Sequence, residues 1–480
     1  MNTLPPSRSF RGADIRDLRG VAQRAFTRTA GAPLVEGNSV RLLLDATENF
    51  PAWLAAIEGA KETIFFENYI IRADSTGAKF RDALAARARD GVKVRVIQDW
   101  LGSLGTGRKF WAPLINAGGI VRVHNVARWD SPLAWLSRDH RKSIVVDGRI
   151  GFVSGLCVSD AWLGNPKRGV EPWRDTGVEI RGPLCADIVR AFAHVWDENG
   201  SPLSADLSRI PEAHSAGEMA ARLIATAPNI AGVYRLDLLI ASMASHRLWL
   251  TDAYFAGVPA YVQALRSAAH DGVDVRLLVP GGSDLPWLRP LSTAGYRPLL
   301  EAGVRVFEWN GSMLHAKTAV ADGRWARVGS TNLNIASWLN NWELDIAIED
   351  EGFAAKMEAA YERDLHHSTE VVLRQRKRIR LPAAEDVPRS KPGGGSMVRA
   401  AAGAIRISRT VGAAVLNHRV LGPAEAAPLA LSAMVPLAVA IIAVFFPAVF
   451  AWPIALILLW LGCTLLLRAW RLRSTGRKKQ

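Results

Sequence analysis

Two stretches of the chain alternate apolar and polar positions in the same order and at nearly the same spacing. Residues 62–99 (ETIFFENYIIRADSTGAKFRDALAARARDGVKVRVIQD) and 246–279 (HRLWLTDAYFAGVPAYVQALRSAAHDGVDVRLLV) each open on a short apolar run. Each continues with apolar and Ala positions at helical spacing, stops at Asp-Gly, and closes on a second apolar run at 92–97 or 273–279. Short apolar runs predict strands and a period near 3.6 predicts a helix, so each stretch reads as a βαβ unit. Further on, 114–124 (LINAGGIVRVH) and 300–309 (LEAGVRVFEW) both repeat a helix end followed by a strand. The predicted body is α/β, with two pseudo-symmetric, βαβ-rich halves at 37–208 and 209–370 behind an Arg-rich arm at 1–36.

The pattern changes after residue 370. Residues 428–467 are 40 consecutive positions without Asp, Glu, Lys or Arg, about twice the ~20 that cross a hydrocarbon core. Pro447 and Pro453 mark a turn between approximate spans 429–446 and 450–467, which predicts a transmembrane helical hairpin at 426–470. Arg419 precedes it and Arg468 and Arg471 follow it, so a hairpin leaves both basic flanks in the cytoplasm whereas one span does not. The competing reading, a buried hairpin in a soluble protein, is disfavoured because cores seldom run so far without charge. Residues 371–425, with PRSKPGGGS at 388–396, read as a basic linker and 471–480 as a basic tail.

Charge sharpens this division. The chain of 480 residues carries +14, and residues 371–480 hold 17 basic and 3 acidic residues, which accounts for all of it. The body before them is neutral, which argues against a broad nucleic-acid groove and points to an anionic membrane surface as partner. A hydrophobic content of 49% excludes a disordered chain. Three cysteines, Cys157, Cys185 and Cys463, have neither disulfide-framework nor metal-ligand spacing. No metal or other cofactor is expected. The first thirty residues hold six arginines but no apolar core of a secretory signal, so no cleaved signal is expected.

The most informative segments come late in each half. His140-Arg-Lys142-Ser-Ile-Val-Val-Asp147 is matched by His315-Ala-Lys317-Thr-Ala-Val-Ala-Asp322, which leads to Gly329-Ser330-Thr331-Asn332. On an extended strand the side-chain period is two, so His and Lys of each motif share a face. Two core histidines in equivalent places of a repeat would be a rare coincidence. Two imidazoles supply a nucleophile and a proton donor, and paired ammonium groups suit a phosphoryl group. Ser330 and Asn332 are positioned to donate to the same phosphate oxygens. Asp175 and Glu343 are candidate carboxylates to orient the imidazoles, the alternative being surface ion pairs. Asp147 and Asp322 each precede Gly between strand-like runs, which on its own marks a hairpin turn.

The duplicated HxKxxxxD segments with GSTN after the second resemble the phospholipase D superfamily over residues 40–370. FENYI (66–70), DGVKVRVIQDWLGS (90–103), WRDTGVEIRGP (173–183), LTDAYF (250–255) and DGVDVRLLVPGGSD (271–284) are similar to bacterial cardiolipin synthases. The resemblance implies a phospholipase D-like fold with one active site shared by both halves, complete without dimerisation, and a catalytic set of His140, Lys142, Asp147, His315, Lys317 and Asp322. It implies metal-free phosphatidyl transfer between two phosphatidylglycerol molecules, giving cardiolipin and glycerol. One histidine, by similarity His140, would carry the phosphatidyl group while His315 serves as acid and base. Water as the acceptor, in a phospholipase or nuclease, and a noncatalytic membrane scaffold are the competing readings. The family pattern Gly-Gly-x-Asn in the first half is replaced by Ser154-Gly155-Leu156-Cys157, which exchanges an amide donor for a weak thiol donor.

Overall fold

A computed structural model describes residues 15–126, 137–208, 214–284 and 289–373, together with scattered positions between 444 and 466. Residues 1–376 form one compact unit and residues 377–480 another.

The first unit is built on a 15-stranded sheet. Its strands are β1 (Val35–Leu44), β2 (Thr63–Asn68), β3 (Lys93–Asp99), β4 (Ile120–His124), β5 (Lys142–Val146), β6 (Ile150–Ser154), β7 (Thr176–Arg181), β8 (Met219–Thr226), β9 (Arg247–Thr251), β10 (Asp274–Pro280), β11 (Arg305–Trp309), β12 (Thr318–Ala321), β13 (Trp325–Gly329), β14 (Glu343–Glu349) and β15 (Ser368–Val371). Read outward from the join, one half runs β1-β7-β6-β5-β2-β3-β4 and the other β8-β14-β13-β12-β9-β10-β11, with β15 on its edge. The same strand order, twice, is the structural form of the sequence repeat. β2, β3 and β4 pair in parallel, as do β9, β10 and β11. Their crossovers are the helices Ser75–Arg89, Arg108–Asn116, Pro259–His270 and Arg289–Glu301. Where the crossovers end, the chain reverses through the β5–β6 and β12–β13 hairpins.

Alternation along the strands divides the core between the two sheet faces. Ile64, Phe66, Ile144 and Val146 join a cluster under the helices of the first half, while Phe65 and Val145 face the opposite way. That opposite face is shared. Val178 and Ile180 from β7, Leu344 and Ile346 from β14, and the helices Cys185–Glu198 and Glu351–His366 contribute to one cluster spanning both halves. The halves are therefore welded by a common core as well as by the antiparallel pairing of β1 with β8. Arg141 adds a polar stitch. Fully buried, it donates to the carbonyls of Glu343, Ala191 and Thr226 at 3.1, 2.8 and 2.8 Å.

One element was not foreseen. The helix Ile15–Ala30 sits within the stretch read as an arm, and its Gln23 donates to Glu349 at 2.8 Å while Arg222 reaches back to Ala32 O at 3.0 Å. The predicted hairpin, linker and basic tail lie almost wholly outside the described residues, and among the described residues no helix is long and apolar enough to cross a membrane.

Candidate active site

Each motif enters its strand just before regular pairing begins, and each entry is held by the other half. The N–H of His140 donates to Trp342 O at 2.9 Å, and that of His315 donates to Arg174 O at 2.7 Å. These bridges set the residues after Trp342 and Arg174 against the imidazoles. His140 Nδ1 lies 2.9 Å from Glu343 Oε2, and His315 Nδ1 lies 2.8 Å from Asp175 Oδ2. The four groups are 7, 0, 4 and 0% exposed, so both predicted carboxylates are buried orienting partners rather than surface ion pairs. A carboxylate accepting the Nδ1 proton leaves Nε2 free for chemistry on each ring. Both rings line one cleft of about 600 Å³ with Tyr69, Arg138, Trp162, Trp173, Tyr254 and Asn332.

The lysines lie deeper. Lys142 and Lys317 are 2 and 1% exposed, and each Nζ donates to the carbonyl of its own motif histidine. Their charge nonetheless reaches both rings. Burial first, then Lys142 and Lys317, hold His140 well below the ordinary imidazole range. Burial and Lys317 bring His315 down to about 4, against the opposing pull of Asp175. Burial also pushes Lys317 down to about 8, with Asp175 resisting and Lys142 adding to the fall.

The two carboxylates differ. Burial acts to raise Asp175, but the charge and hydrogen bond of His315, the charge of Lys317 and the indole N–H of Trp162 outweigh it and hold Asp175 at about 2. Trp162 Nε1 donates to Oδ2 at 2.9 Å. Glu343 is pushed up to about 7 by burial, which Lys142 and Ser330 only partly offset. One histidine thus rests on a firmly ionised partner and the other on a carboxyl that titrates near neutrality.

Ser330 departs from the expected role. Its hydroxyl donates to Glu343 Oε2 at 2.6 Å and its oxygen accepts from the N–H of Leu344. The one proton it could offer a phosphate is committed to orienting Glu343. Asn332 keeps the expected position: it lines the cleft, and its Oδ1 has no partner among the described residues. In the first half, a Cβ on Gly155 would fall 2.2 Å from Asp175 Oδ1, so close packing excludes a serine there. Cys157 is fully buried, and burial pushes its thiol up.

Asp147 and Asp322, grouped above with the catalytic set, are not brought to the histidines. Five residues of extended chain separate Lys317 from Asp322, roughly 16 Å at ~3.3 Å per residue. Asp322 accepts from the N–H groups of Ser245, His246 and Arg247 at 2.8–2.9 Å, and Asp147 accepts from Lys61, Glu62 and Thr63 at 2.8–2.9 Å. Both have positive φ, 52° and 50°, followed by glycines at 62° and 66°, the geometry of a type I′ hairpin turn. They bind the turn to the start of β2 or β9. Asp322→Ala is expected to lower the melting temperature by several degrees, since three N–H acceptors are lost at about 1 kcal/mol each, with activity per folded molecule retained. Thermal denaturation checks this. Those backbone donors hold Asp322 below the ordinary carboxylate range, although burial opposes them. Its contribution is therefore present above its unfolded pKa and lost as pH falls through the folded one.

Sequence reasoning missed several residues here. Tyr69 and Tyr254 stand edge-on to His140 and His315 at 4.8 and 5.9 Å between centroids. Trp162 and Trp173 pack on His315 at 5.3 and 5.8 Å. The signal for the tyrosines was their place just beyond β2 and β9, beside the motif strands. Among the described residues no group of His, Cys, Asp or Glu is arranged to hold a metal ion.

The chain is similar to known proteins in sequence and in fold. Residues 239–365 match the family model described as cardiolipin synthase, PLD-like domain. The chain is 34% identical over 364 residues to cardiolipin synthase A of Pseudomonas aeruginosa, covering 74% of this chain and 73% of that protein. It is 32% identical over 357 residues to cardiolipin synthase 1 of Bacillus anthracis, covering 71% and 69%. Among solved structures, phosphatidylserine synthase of Haemophilus influenzae superposes with a TM-score of 0.59 at 15% identity, over 73% of this chain and 92% of that one. The last shows the likeness of fold. The family model and the two relatives establish that the chain belongs to the cardiolipin synthase family of the phospholipase D superfamily, and that it is a phosphatidyltransferase.

Proposed function

We propose that the enzyme takes the phosphatidyl group from one phosphatidylglycerol and gives it to the glycerol hydroxyl of a second, releasing glycerol and forming cardiolipin. The observation that carries this reading is the crossed arrangement of the site, in which each imidazole has its Nδ1 on a carboxylate of the opposite half and both rings face one cleft. His140 Nε2 attacks phosphorus, the bond to the glycerol oxygen breaks, and His315 gives that oxygen its proton. His315 then takes the proton of the acceptor hydroxyl, whose oxygen attacks phosphorus as the P–N bond breaks. An anionic phosphodiester entering the cleft offsets the charge of Lys142 and Lys317, which raises the proton affinity of both rings. Asn332 offers its amide to the phosphate oxygens.

An apolar mouth supports a lipid substrate. Leu101 and Ile335, 38 and 53% exposed, line the cleft with Ile70, Trp173 and Phe255. The membrane hairpin at 426–470, the basic linker and the cytoplasmic tail belong to the same proposal and place the catalytic body on the inner face of the cell membrane. A reporter fused after Gln480 is expected on the cytoplasmic side, and its recovery on the far side would leave a single span. The test of the reaction is chromatography of lipids after incubation of full-length enzyme with labelled phosphatidylglycerol. Cardiolipin and glycerol in equal amounts support transfer, and phosphatidic acid alone refutes it.

A further inference from the structure

Hydrogen bonding relates the two halves residue by residue around the motifs. Trp342 N–H donates to Arg138 O at 2.8 Å, and in the other half Arg174 N–H donates to Met313 O at 2.8 Å. Arg138 therefore occupies the place of Met313, two residues before each motif histidine. Strand register gives a second equivalence: Asp99 lies opposite His124 across β3 and β4, as Pro280 lies opposite Trp309 across β10 and β11. The first half thus has an ion pair, Arg138 Nη1 to Asp99 Oδ1 at 3.2 Å, where the second has Met313 and Pro280. The fold makes the same bridge without it, so this architecture does not require the pair.

Asp99 does not explain the arginine either. Its carboxylate already accepts from the N–H groups of Leu101, Gly102 and Asp139 at 2.9, 2.9 and 3.1 Å. Arg138 is 8% exposed and lines the cleft beside His140, yet its Nε and Nη2 have no partner among the described residues. Buried donors left unmade are costly, and a guanidinium fork matches phosphate oxygens. The parallel bridge at Asp139 turns Arg138 and His140 to the same side, about 7 Å apart along the chain. Apart from the histidines, the cationic side chains lining the cleft among the described residues are Arg138 and the exposed Arg72.

A phosphatidylglycerol donor has one phosphate, and in the transfer reading that phosphate is at the histidines. A second phosphodiester enters only with the acceptor, one glycerol bridge away from the attacking hydroxyl. We propose that Arg138 binds this non-reacting phosphodiester, so that the first half of the site selects a phosphate-bearing alcohol as acceptor. The proposal rests on the transfer reading above and adds the residue that chooses the acceptor.

The experiment compares two acceptors for the same phosphatidyl-enzyme: phosphatidylglycerol, which yields cardiolipin, and labelled free glycerol, which exchanges into phosphatidylglycerol and carries no phosphate. With full-length enzyme in mixed micelles, Arg138→Met, which installs the residue of the other half, is expected to lower cardiolipin formation about tenfold relative to glycerol exchange. Arg138→Gln, measured the same way, should show the same bias if the methionine variant folds poorly. Arg138→Lys should recover part of the preference. Equal losses with both acceptors, in an enzyme whose wild type makes cardiolipin, would overturn the assignment and leave the transfer reading standing. So would recovery of cardiolipin formation in the double variant Arg138→Met, Asp99→Asn, which would mean that the arginine only neutralises Asp99. A wild-type enzyme that forms phosphatidic acid and no cardiolipin would overturn both.

Discussion

Replacing His140 or His315 by alanine is expected to lower phosphatidyl transfer by at least about 10³-fold, and replacing both is expected to cost little more than replacing one. The two rings act as a unit: without the nucleophile there is no covalent intermediate, and without the proton donor the glycerol oxygen must leave as an alkoxide. Both rings are fixed through Nδ1, line one cleft and feel the charge of the same buried lysines beneath it, so neither has a neighbour placed to substitute for it. The measurement is steady-state transfer together with rapid acid quenching of enzyme mixed with labelled lipid. Label is expected on His140 in the wild type and absent from His140→Ala. Either single variant keeping more than about a tenth of the wild-type rate would end the two-histidine mechanism.

The parts of this site that were legible in the sequence are those set by local pattern. Alternation and helical spacing exposed the βαβ repeat, and the period of two placed His140 with Lys142 and His315 with Lys317. Asp-Gly announced the hairpins, and the turns at Asp147 and Asp322 follow it. What stayed hidden depends on contacts between distant segments. No local pattern says that the segment ending at Asp139 pairs with Trp342, or that Arg174 pairs with Leu314, yet these bridges bring Glu343 to His140 and Asp175 to His315. Ser330 illustrates the cost of reading a motif without its neighbours. A hydroxyl two positions from Asn332 looks like a phosphate donor until Glu343 is found 2.6 Å away. The helix Ile15–Ala30 was hidden for another reason: its arginines suggested only an Arg-rich arm, and it is contacts with distant segments, Gln23 and Thr27 with Glu349 and Arg222 and Phe26 and Ala30 with the core, that reveal a docked element.

The repeat also conceals how differently its copies have diverged. Arg138 and Met313, Arg174 and Trp342, and Cys157 and Asn332 stand at matching places with unlike chemistry. A phosphatidyl transfer has two unlike acceptors of protons and two unlike alcohols, so a site built by duplication gains from such differences. In the first half, Arg174 is held by Asp364 at 2.8 Å and Asp45 at 3.2 Å. In the second, the matching Trp342 packs against His124 and His194.

The carboxylates turn that asymmetry into a measurable difference. Asp175→Asn is expected to lower transfer by about 10²–10⁴-fold, because an amide can donate to Nδ1 and so stabilise the tautomer with the proton on Nε2. His315 then loses both its orientation and the negative charge that supports its imidazolium. Glu343→Gln is expected to cost as much at high pH but about twofold less at pH 7, because Glu343 at about 7 is already half-protonated there. Its protonated form has a further effect. A carboxylic O–H donating to His140 Nδ1 leaves Nε2 carrying the proton, so the ring cannot attack phosphorus, while the ionised form accepts from Nδ1 and frees Nε2. Wild-type kcat/KM should therefore rise with pH through about 7, and Glu343→Gln should flatten that limb. Linkage gives the opposite trend in stability. A carboxyl raised from 4.5 to about 7 on folding contributes fully below its unfolded pKa, and that contribution is lost as pH rises through about 7. Activity that gains while stability declines over the same interval would identify Glu343 as the common titrating group. A rising limb of rate that persists unchanged in Glu343→Gln would assign it elsewhere.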